Sequence, residues 1–149
     1  MNADVFVDTN IFLYSLSDQP AEQLKAEAAR EVLLNESWGW SVQVAGEFFH
    51  TATSLRRQFR IPVEQAAEYV KTWLAFPTAS LTPTTVLLAL KIKQRFQLSY
   101  WDAAIIASAR ELGCQTIYTE DLNHGQDYGG VTALNPFLTN DAIEQLDEV

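Results

Sequence analysis

Four short apolar runs, VFV (5–7), WGWSV (38–42), TASL (78–81) and CQTIYT (114–119), alternate with longer segments whose apolar residues recur at helical spacing. A fifth run, GVTALNPF (130–137), follows them. No other feature restricts the fold as much. Strands that return to their sheet through helices lie parallel, so the pattern implies an α/β sandwich with a mostly parallel five-stranded sheet flanked by helices. The helical segments are TNIFLYSLS (9–17), DQPAEQLKAEAAREVLLN (18–35), VAGEFFHTATSLRRQF (44–59), VEQAAEYVKTWLAF (63–76), TPTTVLLALKIKQRF (82–96) and YWDAAIIASARELG (100–113). Pro20 and Pro83 suit first turns, Gly113 suits a C′ position, and Leu24, Ala28 and Val32 mark the apolar side of the second helix. Residues 1–149 read as one domain without repeats or linkers, with 138–149 adding at most a frayed terminal helix.

A chain of 149 residues with 48% hydrophobic side chains suits a single core that buries roughly 70% of the unfolded surface. No stretch approaches the ~20 apolar residues of a membrane span, and the first residues lack the basic region and apolar core of a signal peptide, so a cytoplasmic location is expected. A lone cysteine, Cys114, excludes an intrachain disulfide, and with only His50 and His124 besides, any metal must be held by oxygen. The formal charge of −9 argues against nonspecific coating of DNA and against anionic membranes, and favours cationic partners.

In open parallel sheets, ligands bind beyond the carboxyl ends of the strands. Asp8 sits where the first strand runs into its helix, in VDTN, a position that equally suits a helix N-cap. Asp121 follows the fourth strand beside Glu120, where a turn residue is also common. Asp102 opens the helix that runs back into the fourth strand; Ser99 three positions earlier gives the alternative of a capping box. Glu47 borders the stripe of Val44, Phe48, Thr51 or Ala52, and Leu55 on the helix leaving the second strand; its alternative is a solvated rim glutamate. Each residue has an ordinary structural role available, but one topology sends all four to one edge. Carboxylates so crowded raise each other's pKa unless cations intervene. Oxygen ligands at that density suit Mg2+ or Mn2+, and the chemistry that follows is phosphodiester hydrolysis by one or two ions.

Taken together, FVDTNIFLY, VAGEFF, SYWDAAIIASA and IYTEDLNHGQ resemble the PIN-domain ribonucleases, particularly the VapC-type toxins of bacterial toxin–antitoxin pairs. The resemblance runs from the first strand through LNPF, close to Phe137. It implies a PIN-like α/β/α sandwich, a homodimer, a cognate antitoxin and an endoribonuclease site in which Asp8, Glu47, Asp102 and Asp121 bind Mg2+ or Mn2+. By the same resemblance Thr9, Asn10 and Thr119 orient the acids, and the substrate is structured RNA such as tRNA or a ribosomal RNA loop. Glu120 remains a substitute for the fourth acid.

RNA contacts are expected from Arg56, Arg57 and Arg60 in RRQFR or from Lys91, Lys93 and Arg95 in KIKQRF, although such residues also serve as solvated helix ends. Phe59 and Phe96 read as core, with stacking on bases as the alternative; His124 reads as a loop residue, with an approach to the leaving group as the alternative; Trp38, Trp40, Trp73 and Trp101 read as packing or dimer contacts. An aspartyl-phosphate phosphatase would want a second aspartate where Asn10 stands, and a phosphate-receiver domain would want paired acids and a late lysine. The non-enzymatic alternative is a PIN-like scaffold that binds RNA or protein without cutting.

Overall fold

Strand β1 (Val5–Val7) is buried at every residue, as a strand covered on both faces must be. The computed structural model describes residues 2–138; the terminal helix expected beyond them lies outside the described residues. Around β1 stand β2 (Trp38–Ser41), β3 (Thr78–Ala79), β4 (Thr116–Tyr118) and β5 (Thr132–Leu134). All neighbours pair parallel, in the order β3-β2-β1-β4-β5. The chain therefore builds outward from β1 to one side, then returns to add β4 and β5 on the other. That reversal places a topological switch point between the carboxyl ends of β1 and β4.

The helices are α1 (Thr9–Ser15), α2 (Gln23–Asn35) after a 3-10 turn at Pro20–Glu22, α3 (Val42–Thr53), α4 (Val63–Trp73), α5 (Pro83–Phe96) and α6 (Tyr100–Glu111). None is long and apolar enough to cross a membrane. Alternation along β2 divides the helices between the two faces. Trp38 and Trp40 point to one side, where Phe12 of α1 meets both rings at 5.3 and 5.0 Å and Trp73 of α4 packs on Trp40. Gly39 points to the other, and a Cβ there would lie 2.9 Å from Leu112 at the end of α6 and 2.9 Å from the Pro77 carbonyl. Its missing side chain is what lets α6 approach the sheet. Helix α5 packs on the outside of α6.

Local signals set most boundaries. Asp8, Ser41, Thr82 and Ser99 cap α1, α3, α5 and α6 with side-chain oxygens. Gly113 follows α6 with φ +74°, as its C′ position requires, whereas α5 ends on Gln97 in the left-handed region at φ +55°, without the glycine that the position favours.

Three expectations are corrected. Helix α3 stops at Thr53 rather than continuing to Phe59, because the Ser54 hydroxyl accepts from Arg56 N–H (3.3 Å) and Arg57 N–H turns back to the Ser54 carbonyl (3.0 Å). Leu55 consequently leaves the inward stripe and is 82% exposed, and Phe59, expected in the core, is 48% exposed. In α2 the buried side is Ala26, Ala29 and Val32, and Leu24 faces out. As expected, Trp38, Trp40 and Trp73 are buried and Phe96 packs on Tyr128; Trp101, read as a packing or dimer contact, is exposed.

Candidate functional site

Asp8 is the first residue past β1, and its backbone N–H continues the pairing to the Tyr118 carbonyl (3.1 Å). One carboxylate oxygen accepts from Thr9 N–H (2.7 Å), capping α1; the other accepts from the Thr119 hydroxyl (2.7 Å), just past β4. The cap is thus real and occupies only one oxygen. Asp8 is 5% exposed. Burial pushes its pKa up to about 6, against the lowering effect of the Thr119 and Thr9 hydrogen bonds and with a further raise from Asp121 and Glu47.

Glu47 stands on α3, half-buried, and is held from two sides. The Thr9 hydroxyl donates to Oε2 (2.9 Å), and the Gln43 amide, one turn earlier, donates to Oε1 (3.1 Å). The same amide reaches the Trp101 carbonyl (3.4 Å), tying α3 to the first turn of α6 and drawing Asp102 toward Glu47. Sequence reasoning passed over Gln43. Its signal was a polar residue inside the apolar stripe, four positions before the glutamate it serves.

Asp102 donates its backbone N–H to Ser99 (3.1 Å), half of the expected capping box. Asp121 lies at the outer rim. Its backbone N–H donates to the Thr119 hydroxyl (3.1 Å), and its carboxylate accepts from the Asn10 amide (3.1 Å). Its pKa is raised by burial and then by the charges of Glu120, Asp102 and Glu47, with the Asn10 bond opposing. Asp8, Glu47, Asp102 and Asp121 therefore share one electrostatic field at the switch point. Glu120 is turned aside: its carboxylate meets Lys25 Nζ (3.5 Å), which also bonds the Tyr14 hydroxyl and lies over the Tyr14 and Phe137 rings. Between the two neighbours, Asp121 is the one held by Asn10.

Among the described residues no three acidic, histidine or cysteine groups close to the reach of a single metal ion. The donor set itself fits a hard divalent cation, being oxygen only, and the buried Asn10 Oδ1 and Gln43 Oε1 beside it have no hydrogen-bond partner.

The remaining candidates divide. Arg57 lines a cleft together with Asn10 and Glu120, and both Arg57 and Arg60 line a larger one beside it. Arg56 is exposed. On α5, Lys91 and Lys93 are exposed and Arg95 lies over Phe96 (4.7 Å), with no hydrogen bond or ion pair to the four acids among the described residues. His124 is committed elsewhere, its Nδ1 accepting from Asn135 N–H (3.0 Å).

The chain belongs to the PIN domain family, whose model matches residues 5–126, from β1 through the loop after β4. No curated protein sequence matches it. Among solved structures it is similar to the sarcin–ricin-loop-cleaving toxin VapC20 of Mycobacterium tuberculosis, with TM-score 0.63 and 22% identity over 86% of this chain and 97% of that one. It is similar also to a toxin–antitoxin complex from Klebsiella pneumoniae (0.64, 17%, 89% and 98%) and to DNA-bound VapBC from Salmonella typhimurium (0.61, 14%, 88% and 96%). At these identities the shared property is the fold, which is that of the VapC toxins.

Proposed function

We propose that the chain is a metal-dependent endoribonuclease, the toxin of a toxin–antitoxin pair, with Asp8, Glu47, Asp102 and Asp121 as its metal ligands. The observation that carries this reading is the convergence of four acids at the switch point, where burial first and neighbouring carboxylates second raise Asp8 and Asp121. Bound there, one or two Mg2+ or Mn2+ ions supply Lewis acidity at the scissile phosphate and lower the pKa of the attacking water. The chain's own contribution is orientation. Thr119 and the Thr9 N–H fix Asp8, the Thr9 hydroxyl and Gln43 fix Glu47, and Asn10 fixes Asp121.

The similar structures include a toxin that cleaves the sarcin–ricin loop and complexes with antitoxins, which supports structured RNA, ribosomal or transfer, as substrate, a cognate antitoxin as partner, and the cytoplasm as the place of action. A homodimer is supported by the apolar residues left exposed on α5 and beside it, Val86, Leu87, Leu90 and Trp101. The reading is tested by incubating antitoxin-free wild type and Asp8→Asn with total RNA in Mg2+, Mn2+ or EDTA and mapping new 5′ ends. Discrete cuts that need metal and vanish in Asp8→Asn are the expected result. One observation favours the second reading, a scaffold that binds without cutting: the acids do not close on a single ion. Identical patterns from both proteins, with no divalent-ion binding by calorimetry, would establish it.

A further inference from the structure

The segment 54–62 carries Arg56, Arg57 and Arg60 around Phe59. On a chain with 19 acids, none of the three forms an ion pair among the described residues; the two ion pairs found there use Lys25 and Lys71. Arg57 is held by a carbonyl instead, donating to Phe59 O (3.0 Å), and Arg60 reaches Leu55 O (3.5 Å). One bond each leaves most of the five guanidinium donors free. Phe59 stands nearly half exposed between them and packs on no other ring among the described residues.

The same residues wall a cleft of about 540 Å3, where Arg57, Phe59 and Arg60 face Asp18 and Glu22. A second cleft of about 220 Å3 is lined by Asn10, Tyr14 and Glu120 and shares Arg57 and Glu22 with the first. Asn10 is the residue that holds Asp121. The two spaces thus adjoin, and lead from the acidic edge to the exposed phenyl ring.

We propose that this path binds a single-stranded stretch of RNA next to the scissile phosphate, with phosphates on Arg57 and Arg60 and a base against Phe59. The proposal takes its direction, out from the acids, from the nuclease reading. The chemistry of the walls suits a nucleotide on each count. Free guanidinium forks match phosphate oxygens, an exposed aromatic ring between cations is a stacking platform for an unpaired base, and carboxylates opposite accept from base amino groups. A duplex keeps its bases stacked and offers none to Phe59. An acidic peptide offers the arginines its carboxylates but has no base to stack on Phe59 or to donate to Asp18 and Glu22, and a basic peptide meets the arginines.

The test is fluorescence anisotropy with an end-labelled ten-nucleotide oligocytidylate in EDTA, so that binding is read without metal, with thermal melts to show that each variant is folded. Arg57→Gln/Arg60→Gln is expected to weaken binding at least about tenfold and to lower the salt slope by about 1.4, two phosphates at roughly 0.7 each. Phe59→Ser is expected to weaken it about five- to a hundredfold with the slope unchanged, and Lys91→Gln/Lys93→Gln to leave it unchanged. Equal binding by all variants, loss confined to the α5 pair, equal affinity for an RNA duplex, or equal competition by octaglutamate would each overturn the assignment. Binding through Arg57 and Phe59 by a wild type that cuts no RNA would sink the nuclease reading and leave this one standing. Metal-dependent cutting with an unchanged KM in Arg57→Gln/Arg60→Gln would do the reverse.

Discussion

Asp8 receives a hydrogen bond on each oxygen, both 2.7 Å, and its pKa is still pushed up to about 6, by burial first and by Asp121 and Glu47 after it. Between its unfolded value of 3.8 and about 6, the folded chain holds a proton that the unfolded chain has released. Stability therefore falls as pH rises through that window and stays lower above it, by roughly 3 kcal/mol at about 1.4 kcal/mol per pH unit. In EDTA, wild type is expected to melt several degrees lower at pH 7.5 than at pH 4.5, and Asp8→Asn to remove most of that difference; saturating Mg2+ should raise the melting temperature of wild type at pH 7.5 and not that of the variant. Gln43 makes a separate prediction. Gln43→Leu keeps the size and burial of the side chain but frees Glu47 on one side, and RNA cleavage is expected to fall about 10–100-fold with a matching loss of Mg2+ affinity by calorimetry. At this scale the acids' common edge was legible, since strand ends and helical period locate Asp8, Glu47, Asp102 and Asp121. Gln43 and the turning aside of Glu120 were not: the first hid in an apolar stripe, and the second depends on Lys25, 95 positions away.

Elements were legible wherever a cap or a period spoke clearly. Asp8 and Ser99 opened their helices as their side chains favour and Gly113 closed α6, whereas the cap at Ser41 went unread and α3 begins at Val42, two residues before the expected start. Period alone misled in 54–59, where Leu55 continued the stripe on paper while the Ser54 hydroxyl had already taken over the local hydrogen bonding. Strand β2 shows a constraint that composition does not announce. Gly39 reads as a weak strand residue, yet it is the contact point of sheet and α6. Gly39→Ala drives a methyl into the Pro77 carbonyl and Leu112, and since backbone cannot yield as a flexible side chain does, a loss of about 1–3 kcal/mol is expected in denaturant unfolding. The site should move with it, because Asp102 rides on α6.

At the scale of the molecule, alternation of strands and helices foretold a parallel sheet, but not the order of its strands. Order depends on contacts between distant segments, and pattern within a segment is silent about them. The exposed face of α5 belongs to this scale as well. If Val86, Leu87 and Leu90 join two copies, Leu87→Glu should convert a dimer to a monomer in sedimentation velocity while the melting temperature of the fold stays nearly the same, since the side chain is already exposed. The switch point has a consequence in time. Asp8 gains its second hydrogen bond from Thr119, 111 residues later, and Asp121 comes later still, so a nascent chain that has emerged only through α6 carries the first three acids with no β4 to gather them. If the chain cuts RNA as proposed, its site is incomplete until translation is almost done, which spares the message and the ribosome producing it, and an amino-terminal fragment released early is expected to be inert.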